Sequence, residues 1–164
     1  MLLYHFTARQ NLPLILKSGL VHGSVPVAPG RSMNAVWLTT DPGPNGHGLE
    51  VGGCFMTADD RRQVYEWTGR QASEGERLPK AAEVRIEVDL DHDDRRLHDW
   101  FPWARRHLAP DWLARLHPVG GDSLRKAKSW RLFFGLIPRE AFRDIALLEA
   151  SPGPPARTRP AATA

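Results

Sequence analysis

Apolar and polar side chains alternate most cleanly over "AEVRIEVDL", where Val84, Ile86, Val88 and Leu90 interleave with Glu83, Arg85, Glu87 and Asp89. A period of two predicts a strand with one packed face and one face turned to water or a ligand. The N-terminal "LLYHFT" is a second short apolar and aromatic run, read as a strand over Leu2–Phe6. After it the period changes. Leu12, Ile15 and Leu16 fall on one face of a helix, with Lys17 in its last turn and Gly19 as the residue that ends it. Either Thr7 and Gln10 form a capping box or Asn11 caps the helix with Pro13 in the first turn.

Further along, "VHGSVPVAPGRSMN" reads as loop from its Pro, Gly and Ser content, and "AVWLTT" as a short strand. A long Gly/Pro loop, "DPGPNGHGLEVGG", follows, and loops of that length in small domains are commonly functional. "TADDRRQVYEWTG" predicts a helix capped by Thr57 and Asp60 and closed by Gly69. "DDRRLHDWFPWARRHLAPDWLARLH" predicts one or two helices broken near Pro102 and Pro110. "SWRLFFGLI" is apolar almost throughout, as a central strand would be, and "PREAFRDIALLE" predicts a helical turn and a closing strand. The order of elements favours an α+β fold with a mixed or antiparallel sheet. One domain is expected over residues 1–149, with a disordered Pro/Ala-rich tail over 150–164.

Composition narrows the function without fixing it. The chain has 164 residues, 41% hydrophobic and 25% charged, which is ordinary for a soluble domain. No apolar run approaches the roughly 20 residues of a membrane helix, and the N-terminus has no leader pattern, so a cytoplasmic protein without a membrane partner is expected. Cys54 is the single cysteine, so no internal disulfide forms, and it reads as a buried apolar thiol. The net charge is +3, and Arg157 and Arg159 of the tail contribute to it. That balance permits a phosphate-bearing or nucleic-acid partner without requiring one. There is no zinc, calcium, Rossmann or Walker motif, and the one His-x-Thr unit, His5–Thr7, has no second copy.

The stretch "YHFT…NLPLILKSGL", Tyr4 to Leu20, resembles the opening of the ADP-ribosyltransferase-like superfamily. The likeness is to DarT-type DNA ADP-ribosyltransferases and, more loosely, to KptA-type RNA 2′-phosphotransferases. "VWLTT" is similar in style to the second family motif, and "WRLFFGLIPREAFRDIALLE" to the closing strand pair. The resemblance implies NAD as a substrate and a DNA or RNA target. It implies His5 on the first strand as the residue that holds the ribose or nicotinamide half. It further implies Trp37 in the aromatic place, Thr39 and Thr40 as hydroxyl donors, and Tyr4 and Thr7 beside the cofactor.

The family's catalytic glutamate would fall near Ser129–Arg131, where no acid stands. Glu87, Glu83 or Glu50 would then have to supply it, with Glu87 taken as the catalytic candidate beside His5 and Thr39. A KptA-like reaction would instead draw on Arg85, Arg125 and Arg131 around a phosphate. A non-catalytic module of the same fold is the third reading, and a toxin, defence or modification role would follow by analogy alone.

The chemistry explains why these residue types matter. Breaking the nicotinamide–ribose bond develops oxocarbenium character. Imidazole can hold ribose hydroxyls, an indole offers a face to nicotinamide, and a carboxylate stabilises the developing charge. Arg105 and Arg106 beside Trp100 and Trp103 would suit a nucleic-acid target, unless the tryptophans form the core of an amphipathic helix. His47 reads as a solvated loop histidine.

Overall fold

The computed structural model describes residues 1–49, 52–116 and 126–148. Glu50, Arg125, Arg157, Arg159 and the expected tail lie outside them. The fold is α+β, as the order of elements predicts, and every strand pairing is antiparallel. The chain forms β1 (Leu2–Thr7), α1 (Leu12–Ser18), β2 (Ser24–Ala28), β3 (Arg31–Asn34), β4 (Val36–Thr39) and α2 (Ala58–Thr68). It continues with β5 (Val84–Asp89), β6 (Leu97–Asp99), α3 (Trp100–His107), α4 (Pro110–Leu116), β7 (Trp130–Phe133) and β8 (Phe142–Leu147). Six strands make one sheet in the order β6-β7-β4-β1-β5-β8, and β2-β3 form a separate hairpin. No helix among the described residues is long and apolar enough to cross a membrane.

Strand alternation divides the sheet into two faces, each with its own core. Leu3 pairs with Val88 and Thr7 with Val84, so Leu3, Val84, Ile86 and Val88 share one face with Val36, Leu38 and Phe133. That face packs against Ile15 of α1, Leu20 and Ile137. The opposite face carries Trp37 and Leu132, which pack with Val25, Trp100, Trp103 and Trp112. Helices α3 and α4 therefore turn their tryptophans inward. Trp103 is buried, so it is not available for stacking on a base beside the exposed Arg105 and Arg106.

Local chemistry accounts for most element ends and for the departures from expectation. α2 opens on the capping box that its sequence predicts, Thr57 with Asp60, and closes on Gly69 in the left-handed region. Gly19 ends α1 at φ 78°, and a Cβ there would collide with the Ile137 carbonyl oxygen. The N-terminal cap differs. No side-chain bond caps α1 or the 3-10 turn before it, and Asn11 Nδ2 donates instead to Thr7 Oγ1 at 3.1 Å.

"SVPVAPGRSMN" is a hairpin rather than a loop. Pro29–Gly30 is its two-residue turn with Gly30 at φ 69°, and Pro26 is tolerated because the two-stranded ribbon has only edges. Pro102 does not break α3, because it lies in the first turn, where an N–H has no intrahelical partner anyway. Cys54 is half-buried rather than sealed in the core.

Candidate functional site

The site is built where the sheet comes apart. β1 runs in full register with β5, but it meets β4 at the one pair Tyr4↔Thr39. Beyond that pair the strands diverge. The Trp37 carbonyl, which a continuing ladder would engage, bonds the His5 side chain at 2.9 Å through Nδ1. A carbonyl can only accept, so Nδ1 carries the proton and Nε2 of the neutral ring is left as an acceptor. Loss of hydration pushes the His5 pKa below the ordinary imidazole value, against the smaller opposing pull of the Trp37 carbonyl. His5 thus stands in the seam as a neutral imidazole.

A cleft of about 600 Å³ opens on this seam, within the roughly 300–1,000 Å³ common for ligand pockets. Tyr4, His5 and Phe6 of β1 and Trp37 and Thr39 of β4 line its floor. Asp60, Gln63, Val64 and Trp67 of α2 form one wall, and the hairpin contributes Ser24 and Pro26. Trp100, Trp130 and the loop residues His47, Gly48 and Leu49 complete it. The indoles are inclined rather than stacked. Trp37 meets Trp130 edge-on at 5.7 Å and 82°, and Trp100 at 4.9 Å and 56°.

Trp37 Nε1 is tied to the Ser24 carbonyl at 2.9 Å, and Trp130 Nε1 donates to His47 Nδ1 at 2.8 Å. His47 is therefore a wall residue locked to β7, not a solvated loop histidine. Trp100 differs from both, because its Nε1 is buried without a hydrogen-bond partner among the described residues. A buried orphan donor on a cleft wall is a feature that calls for an acceptor.

Of the residues that the sequence singles out, Tyr4, His5, Trp37 and Thr39 line this cleft, and Thr7, Thr40 and Glu87 do not. Thr7 lies on the first-core face as the acceptor for Asn11, and Thr40 is exposed. Glu87 faces the same side as its partner Tyr4, but on β5, a strand further from the seam. Glu83 is occupied by the Arg9 amide at 3.0 Å and by Lys80 at 3.9 Å.

Thr39 is present but spent. Ser129 Oγ donates to the Lys126 carbonyl at 2.6 Å, so the 2.7 Å contact between Thr39 and Ser129 takes the Thr39 proton. The Thr39 oxygen also accepts from the Asp41 amide at 3.0 Å. This hydroxyl anchors the start of the loop. Asp41 in turn pairs with Lys126, which holds its carboxyl below the usual range.

The acid that does border the cleft is Asp60, which sequence reading assigns only to capping. Its Oδ2 accepts from both Thr57 N and Thr57 Oγ1 at 2.7 Å. No Lys or Arg lines the cleft among the described residues. The lining is largely aromatic, with the imidazoles of His5 and His47, one carboxylate and one orphan indole donor.

Compared with known proteins, the chain matches no family model, no curated protein and no solved structure.

Proposed function

We propose that the cleft binds NAD and that the protein transfers ADP-ribose from it to a macromolecular, nucleic-acid target. The observation that carries this reading is the neutral His5 where β1 and β4 part, on the border of a cleft walled by indoles. In the proposed complex His5 Nε2 accepts from a ribose hydroxyl. The nicotinamide ring lies in the corner of Trp37 and Trp130, and a nicotinamide or ribose oxygen takes the Trp100 N–H. An electron-poor ring suits π-rich walls free of competing cations. The C1′–N bond breaks with its electron pair leaving on nicotinamide. A lone pair of the target forms the new bond to C1′, and the target's proton passes to water. Asp60 is the carboxylate on hand to stabilise the developing positive charge.

The test measures NAD binding by quenching of tryptophan fluorescence and nicotinamide release with DNA or RNA supplied. Wild type should do both. His5→Ala should weaken binding by roughly two- to ten-fold, the worth of one net hydrogen bond, and should lower release further. Absence of quenching and release under every target supplied would sink the proposal. Because Asp60 is already engaged at the helix cap, a binding module without turnover is the second reading. Quenching without release favours it, whereas release that depends on a 2′-phosphorylated RNA points to 2′-phosphotransfer.

A further inference from the structure

Three arginines of this protein invite comparison. Arg96 grips Asp94 through Nε and Nη2 at 3.0 and 2.7 Å, and Arg143 grips Asp89 through the same two atoms at 3.2 and 2.6 Å. That side-on edge is the fork that suits a carboxylate or phosphate. Arg85 holds its fork differently. Among the described residues only Nη1 is engaged, at 3.3 Å from the Pro42 carbonyl, and Nε is buried with no hydrogen-bond partner. No ion pair neutralises Arg85 among the described residues. Glu87 lies two residues along the same strand face without pairing to it.

The guanidinium is nonetheless fixed, because it lies 5.4 Å over the Tyr4 ring. A buried, unpaired side of a permanent cation is costly unless an anion meets it. Its position is also telling. Arg85 pairs across β1 with Phe6, so it stands one strand spacing from two residues of the cleft floor, Tyr4 and Phe6. The cleft itself offers no lysine or arginine among the described residues, so a phosphate-bearing ligand seated there must find its cation nearby.

We propose that the Nε/Nη2 edge of Arg85 binds the phosphate of a nucleotide whose ring occupies the cleft. This rests on the nucleotide reading of the cleft and adds the group that holds its charge. The long bond to Pro42 is the contact that yields as the phosphate arrives. Partial exclusion of water strengthens the charge-assisted bonds that replace it.

The experiment uses ligands that differ by one phosphate. Wild type, Arg85→Met and Arg85→Lys are titrated with nicotinamide mononucleotide and with nicotinamide riboside, and ADP is the probe that needs no nicotinamide. Arg85→Met should weaken the mononucleotide and ADP by about ten- to a hundred-fold, as for loss of a charged hydrogen-bond pair. It should not weaken the riboside, a pyridinium cation without a phosphate, since that ligand has no anion for the guanidinium to hold. Arg85→Lys, with the charge but not the fork, should fall between for the phosphorylated ligands alone.

Equal losses for mononucleotide and riboside would overturn the proposal by making Arg85 structural. So would an unchanged mononucleotide affinity, or wild type binding neither phosphorylated ligand. Should Arg85→Met fail to fold, Arg85→Lys carries the same comparison. Phosphate-selective loss in these variants without nicotinamide release from NAD would sink the transferase reading and leave this one standing.

Discussion

His5 carries its proton on Nδ1 because the Trp37 carbonyl can only accept, and burial keeps the ring neutral. The sign of the pH effect follows. A histidine whose folded pKa lies below the unfolded value of about 6.5 adds stability that is complete above that value and lost as pH falls through the folded one. Chemical unfolding from pH 8 to 4 should show stability dropping on the acid side, and His5→Asn should flatten that drop. NAD affinity should fall in the same window, because an imidazolium has no acceptor nitrogen. Trp100→Phe removes a donor that nothing among the described residues satisfies. It should leave the unfolding free energy unchanged or raised, by up to about 1–3 kcal/mol of relieved desolvation, while weakening ligand binding; a drop in both would show that Trp100 is structural. At this scale the sequence was partly legible. His5, Tyr4 and Trp37 stand out because their neighbours are strand formers. Asp60 and Trp100 do not, because a cap and a core tryptophan look the same whether or not they border a cleft. For Glu87, alternation gives its face but not its distance from the seam.

Among the elements, α2 matters most to the cleft, for it supplies Asp60, Gln63, Val64 and Trp67. Thr57→Ala removes the hydroxyl half of its capping box and leaves Asp60 accepting from the backbone amide of residue 57. It should cost about 0.5–2 kcal/mol of stability, read by denaturant titration, and loosen ligand binding by fraying the first turn that carries Asp60. Strand β5 was readable in full, because Val84, Ile86 and Val88 are all buried and the intervening residues are not. The helix α2 was equally plain, since its cap and its closing glycine are both sequence signals. The β2–β3 hairpin was not, because Pro26 and Gly30 carry the composition of a loop, and only Val25, fully buried, betrays the strand. β6 escaped because three residues are too few to show a period.

For the molecule as a whole, two cores share one sheet, and adjacent residues of β7 serve different ones. Leu132 is fully buried among the cleft tryptophans, whereas Phe133 is buried with α1 and β5 on the other side. Leu132→Ala and Phe133→Ala should each cost about 2–5 kcal/mol. Only the first should change ligand binding in molecules still folded, and equal effects on binding would show that the two faces are not separate. Strand order and the division into two cores could not be read in advance, since both depend on pairings between distant segments. The α+β class could, because it follows from the succession of periods alone. The meeting of β1 and β4 at one residue pair has a mechanical consequence. The sheet is two three-stranded panels sutured by a single stitch, with an imidazole as the knot. The first core still bridges the two panels on the far face, where Leu3 and Ile86 of one pack with Leu38 and Phe133 of the other, so the seam is weak on the cleft side alone, and cutting the knot should speed amide exchange along that line first.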